Sequence, residues 1–93
     1  MSESITFKPG FELTFKSVVT VRAKLDKMLK EQVHDRFRLD LGGVTLCDSA
    51  GLALLIEIRK WCQRNNRIFE VAGISPKIQS LAEFCGVDRI FVS

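Results

Sequence analysis

The sequence has no bilayer-length apolar run, no clustered basic stripe, no cysteines at CxxC spacing and a single histidine. Each absence removes a class of function. The longest apolar stretch in the middle of the chain, Leu52 to Ile58, is interrupted by Glu57, whereas a membrane span needs about 20 apolar residues. The opening residues, Met1 to Gly10, lack the basic region and apolar core of a secretory signal, so a cytoplasmic location is expected. Cys47, Cys62 and Cys85 are odd in number, as expected of reduced thiols and not of a disulfide framework. The net charge of +3 comes from basic residues interleaved with acids, as in Lys24, Asp26, Lys27, Lys30 and Glu31. A phosphate backbone is bound by clustered cations, so nucleic acid is not an expected partner. Hydrolytic and transfer chemistry needs a nucleophile with its base, paired carboxylates or a metal cluster. His34 stands near the end of a helix and assembles no triad, and Cys47 has no assigned base. Neither GxxxxGK[ST] nor GxGxxG occurs. No enzyme activity and no cofactor are expected.

What is present is the material for one small α/β domain spanning residues 1–93. With 93 residues and 46% apolar content, the chain can close one hydrophobic core. Residues 5–7 and 11–15 alternate apolar and polar around Pro9-Gly10, predicting two strands in a hairpin. Val18, Val21, Leu25, Met28 and Leu29 recur at helical spacing and predict a helix over 18–32. A strand follows at 37–41. Gly42-Gly43 breaks it, and residues 44–47 lead into Asp48-Ser49-Ala50-Gly51 and a second helix to about Asn65. Residues 67–72 form another strand. Ser75-Pro76 caps a third helix whose inner stripe is Ile78, Leu81, Ala82 and Cys85, with Gly86 as its stop. Ile90-Phe91-Val92 predicts a closing strand. The order ββαβαβαβ, about five strands with three helices, implies a mixed, mostly parallel sheet covered by helices.

The junction at Asp48-Ser49-Ala50-Gly51 is where such a sheet meets ligands and partners, because strand ends there run into helix N-termini. Unpaired N–H groups in the first helical turn favour a phosphate on Ser49 or an acidic partner group. Equally, Asp48 or Ser49 is a plain N-cap. On a helical wheel Gly51, Leu54, Leu55, Ile58 and Cys62 gather on a core face. Leu52 and Ile56 fall within about 60° of Ser49, which predicts an outward patch of Ser49, Leu52, Ala53 and Ile56 for partner binding, unless a neighbouring segment covers the two aliphatic residues. Trp61 belongs to the rim of the core.

Leu39-Asp40-Leu41, the run Val44 to Leu55, Val71-Ala72-Gly73 and the final helix together resemble the STAS domain, named for sulfate transporters and anti-sigma factor antagonists. The resemblance spans almost the whole element order, and its specific part is residues 39–55. Two branches are implied. In MlaB-type subunits the domain binds the cytoplasmic ATPase of an ABC complex that transports phospholipids and maintains outer-membrane lipid asymmetry, with a hydroxyl residue in the contact. In anti-sigma factor antagonists the residue at the place of Ser49 is phosphorylated by an anti-sigma factor kinase. Gly51 to Leu55 and Val71 to Ala82 look more like the MlaB branch. Ser49, where many such chains carry threonine, keeps the phosphorylation reading open. The junction, the helical-wheel patch and the resemblance together give an expected partner-binding set of Asp48, Ser49, Ala50, Gly51, Leu52, Ala53 and Ile56. The resemblance also implies a protein that reaches the inner membrane only through its partner.

Overall fold

The computed structural model describes residues 4–31 and 35–91. Five strands and three helices appear in the order β1 (Ser4–Phe7), β2 (Glu12–Leu13), α1 (Val18–Glu31), β3 (Arg36–Asp40), β4 (Leu46–Cys47), α2 (Ser49–Arg64), β5 (Ile68–Ala72), α3 (Pro76–Phe84), with a 3-10 turn at Asp88–Phe91. The mixed α/β class expected from the alternation of elements is the one observed. Three strands form a parallel sheet in the order β1-β3-β5, and β2 and β4 form a separate parallel ribbon.

β3 is central and strictly alternating: Phe37 and Leu39 are fully buried while Arg36 and Arg38 face outward. Phe7, Phe37 and Phe69 stand side by side across the sheet, with centroids 6.5 and 6.3 Å apart. On the other face Arg36 pairs with Glu70 at 2.9 Å. The helices cover the inner face. Val21 and Leu25 of α1, Leu54, Leu55, Ile58 and Cys62 of α2, and Ile78 and Ala82 of α3 join one core cluster with the strands. Trp61 packs, partly buried, at the edge of that cluster.

The N-terminal hairpin is not formed. β1 and β2 lie in different sheets, each beside a later strand, so Pro9-Gly10 turns the chain without pairing its flanks. Alternation reveals which face of a strand is buried but not which strand lies beside it. Residues 11–15 are also not one continuous strand: only Glu12–Leu13 is extended, leaving Leu13 buried and Phe11 and Phe15 exposed. The closing strand is replaced by the 3-10 turn, held onto α2 by Arg59, whose guanidinium donates to the Arg89 carbonyl at 2.7 Å. Val92, like Gln32 at the predicted end of α1 and His34, lies outside the described residues. The cap expected for α3 is present: the Ser75 hydroxyl accepts from the Ile78 N–H at 3.2 Å, Pro76 opens the helix, and Gly86 ends it at φ 73°.

Candidate interaction site at the start of the central helix

α2 begins where β4 ends, and Asp48 makes the junction. Its φ and ψ of −124° and −173° are extended, and one carboxylate oxygen accepts from the N–H groups of Ala50 at 2.9 Å and Gly51 at 3.1 Å. Asp48 is therefore the N-cap and Ser49 the first helical residue, which decides between the two candidate caps. The first intrahelical bond runs from the Leu52 N–H to the Asp48 carbonyl. Two of the first-turn donors that a phosphate or acidic group would seek are thus already taken by Asp48.

The other Asp48 oxygen reaches across the fold and accepts from the Phe15 N–H at 3.0 Å. Partial burial pushes the carboxyl up, but the N–H donors of Phe15, Gly51 and Ala50 together outweigh it and hold the group below its ordinary 3.8. Close contact reinforces the junction. The Asp48 N–H donates to the Leu13 carbonyl at 3.1 Å. A Cβ on Gly51 would lie 2.1 Å from that same oxygen, so only glycine lets α2 approach β2 this closely.

Of the predicted set, Ser49 and Ala53 are exposed, Asp48, Ala50 and Ile56 are half-buried, and Gly51 is buried. The Ser49 hydroxyl makes no hydrogen bond among the described residues. Leu52 requires correction: it is 2% exposed and belongs to the core. α2 touches α1, β2, β4, β5 and the 3-10 turn. A helix enclosed on several sides buries more than the single stripe a wheel assigns it, and a neighbouring segment does cover Leu52.

The apolar surface near Ser49 comes instead from other elements. Six large hydrophobic residues are strongly exposed among the described residues, and three of them, Phe11, Phe15 and Leu46, lie on or beside the β2-β4 ribbon that packs against α2. A fourth, Val19, lines a shallow groove between α1 and α2 with Ala50 and Ala53. The sequence carried one signal of this: Val19 is an apolar residue off the α1 core stripe. Phe11 and Phe15 were hidden by their spacing, which imitates a buried strand face.

The two thiols at and behind this site are held in the protonated form. Burial pushes the Cys47 thiol up to about 11, with the Asp48 charge adding to the rise. Burial likewise takes Cys62 to about 11 against the opposing Arg67 charge. Both are protonated thiols at neutral pH and poor nucleophiles. No group of three or more His, Cys, Asp or Glu residues among the described residues could hold a metal ion.

Residues 12–93 match the family described as "Mlab, STAS domain". Among solved structures the chain is similar to the anti-sigma factor antagonist SpoIIAA in its unphosphorylated form, with a TM-score of 0.75 and 16% identity over 99% of this chain and 80% of that one. The phosphorylated form of SpoIIAA, described as a Bacillus cell fate determinant, gives a TM-score of 0.70 and 16% identity over 99% and 83% of the two chains. A sulfate transporter family protein from Wolinella succinogenes gives 0.72 and 20% identity over 90% of this chain and 67% of that one. At such identities the likeness is one of fold. No curated protein sequence matches the chain.

Proposed function

Because the chain belongs to the STAS-domain family of the Mlab type, we propose that it is a non-enzymatic cytoplasmic subunit that docks onto the ATPase of a phospholipid-transport ABC complex. In this reading it regulates that ATPase and so serves outer-membrane lipid asymmetry. The observation that carries the reading is the exposed start of α2: Ser49 is exposed and its hydroxyl makes no hydrogen bond among the described residues, and Ala53 lies exposed one turn further on. A small hydroxyl and a methyl group on a rigid, capped helix allow another protein surface to approach closely. The subunit acts by binding. If it recognises one ATPase conformation better than another, it shifts that equilibrium by its differential affinity, typically about 1–3 kcal/mol. No described helix is long and apolar enough to cross a membrane, so in this reading the chain reaches the inner membrane only through its partner.

The test is co-purification from native cells with wild type, Ser49→Glu and Ala53→Asp. Both substitutions fall on exposed positions and leave the core intact. The expected result is an ABC ATPase recovered with wild type and lost with both variants, because each buries an unpaired carboxylate in the contact. Undiminished recovery with both variants overturns the reading.

One feature favours a second reading, an anti-sigma factor antagonist switched at Ser49. A phosphate there would stand beside the Asp48 carboxylate, which already holds the N–H groups of Ala50 and Gly51. The added charge would therefore repel and release a partner more readily than recruit one. Recovery of a serine-kinase anti-sigma factor, with phosphate on Ser49 by mass spectrometry, selects this reading.

A further inference from the structure

We infer that the docking surface is bipartite, with Phe15 as its aromatic anchor and Asp48 as the positioning residue that holds Phe15 beside the start of α2. The inference rests on the proposed docking of a protein partner at Ser49 and deepens it. Phe15 is 69% exposed, yet the turn that carries it is bonded throughout. The Thr14 N–H donates to the Ser17 hydroxyl at 3.0 Å, and that hydroxyl donates to the Glu12 carbonyl at 2.8 Å. The Thr14 hydroxyl donates to the Glu12 carboxylate at 2.7 Å and accepts from the Lys16 N–H at 3.2 Å. The N–H groups of Ser17 and Val18 both donate to the Thr14 carbonyl at 2.9 Å. Asp48 completes the set through the Phe15 N–H.

The backbone that carries this aromatic is already ordered, so its entry into a pocket costs side-chain freedom but little backbone freedom, and buried aromatic anchors dominate binding energy at protein interfaces. Phe84 is more exposed still, at 90%, but it ends α3, and no hydrogen bond among the described residues joins it to the start of α2. The single carboxylate shared between the Phe15 N–H and the first turn of α2 ties the backbone that carries the aromatic to the Ser49 end of the helix. The Lys16 ammonium lies 6.0 Å from the centre of the Phe15 ring. The matching surface on the partner is accordingly an apolar pocket with a carboxylate at its rim.

The role of Asp48 can be separated from ordinary helix capping. Asn caps a helix about as well as Asp, and its single carbonyl oxygen can still accept from Ala50 and Gly51. Its amide nitrogen cannot accept from Phe15. Asp48→Asn should therefore keep the start of α2 capped, with a melting temperature lowered only by loss of the charge and of the Phe15 bond, while releasing the Phe15 amide. In hydrogen exchange on the isolated chain, the Phe15 amide is expected to be protected in wild type and to exchange about tenfold faster or more in Asp48→Asn. The amides of Phe37 and Leu39 are expected to change far less than that of Phe15. A Phe15 amide that already exchanges freely in wild type overturns the proposal without reference to any partner.

Binding of the purified ABC ATPase subunit then separates the inference from the reading beneath it. Phe15→Ala is expected to weaken binding about tenfold or more, Asp48→Asn to weaken it in the same direction, and Phe84→Ala to leave it within about twofold. If Ala53→Asp abolishes binding while Phe15→Ala leaves it unchanged, the second half of the surface does not exist and the inference fails alone. If Phe15→Ala weakens binding and Ala53→Asp does not, Phe15 stands as a contact and the α2 reading fails. If neither matters, both fall.

Discussion

Asp48 carries more of this site than the serine beside it. Its two oxygens hold three backbone N–H groups from two segments, Ala50 and Gly51 on α2 and Phe15 on the preceding turn, and only the ionised form accepts all of them well. The folded-state value lies below the ordinary 3.8. The stabilisation from this group is therefore complete above the unfolded value and lost as pH falls through the depressed folded one. Urea unfolding of wild type and Asp48→Ala between about pH 6 and about pH 2 should show a gap that closes only at the acid end. A gap constant across that range would mean that the carboxylate contributes nothing through its charge.

At the scale of elements, the site depends on how closely α2 can settle on β2. The competition at Gly51 decides this. Alanine there would gain about 1 kcal/mol in helix propensity, but its Cβ would stand 2.1 Å from the Leu13 carbonyl oxygen. Overpacking against side chains costs about 1–3 kcal/mol, and here the obstacle is backbone, which gives way less easily. The expected outcome for Gly51→Ala is a net loss on the order of 2 kcal/mol in urea unfolding, together with loosened protection of the Asp48 amide. A variant as stable as wild type would mean that α2 stands off β2. The same close packing explains why Leu52, placed on the outward side by the helical wheel, is buried.

At the scale of the whole molecule, the three cysteines sample three depths: Cys62 in the core, Cys47 half-buried at the junction and Cys85 exposed after α3. The thiols of Cys47 and Cys62 are both pushed up to about 11, so little thiolate forms at neutral pH and burial slows access further. Iodoacetamide on the native protein should modify Cys85 first and leave Cys62 untouched until denaturant is added, as followed by mass spectrometry. Rapid native labelling of Cys62 would contradict the closed packing of α2 on the sheet.

Local patterns determined much of this protein. The strict alternation of Arg36 to Asp40, the 3.6-residue stripe of α1, the α3 stripe through Ile78, Leu81 and Ala82 (though not its last member, the exposed Cys85), the Ser75-Pro76 cap and the Asp48-Ser49 junction are written in consecutive residues, because strand faces, helix faces and caps depend on near neighbours. The tertiary structure decided which strands pair, since the same alternation serves an antiparallel hairpin or two parallel edges, and here it serves the latter. It also decided which apolar residues remain outside. Leu52 went into the core because several elements enclose α2, and Phe15 came to the surface because Asp48, 33 residues away, holds its turn against the helix start. Burial and long-range hydrogen bonds belong to the neighbours an element acquires on folding, and its own spacing does not name them.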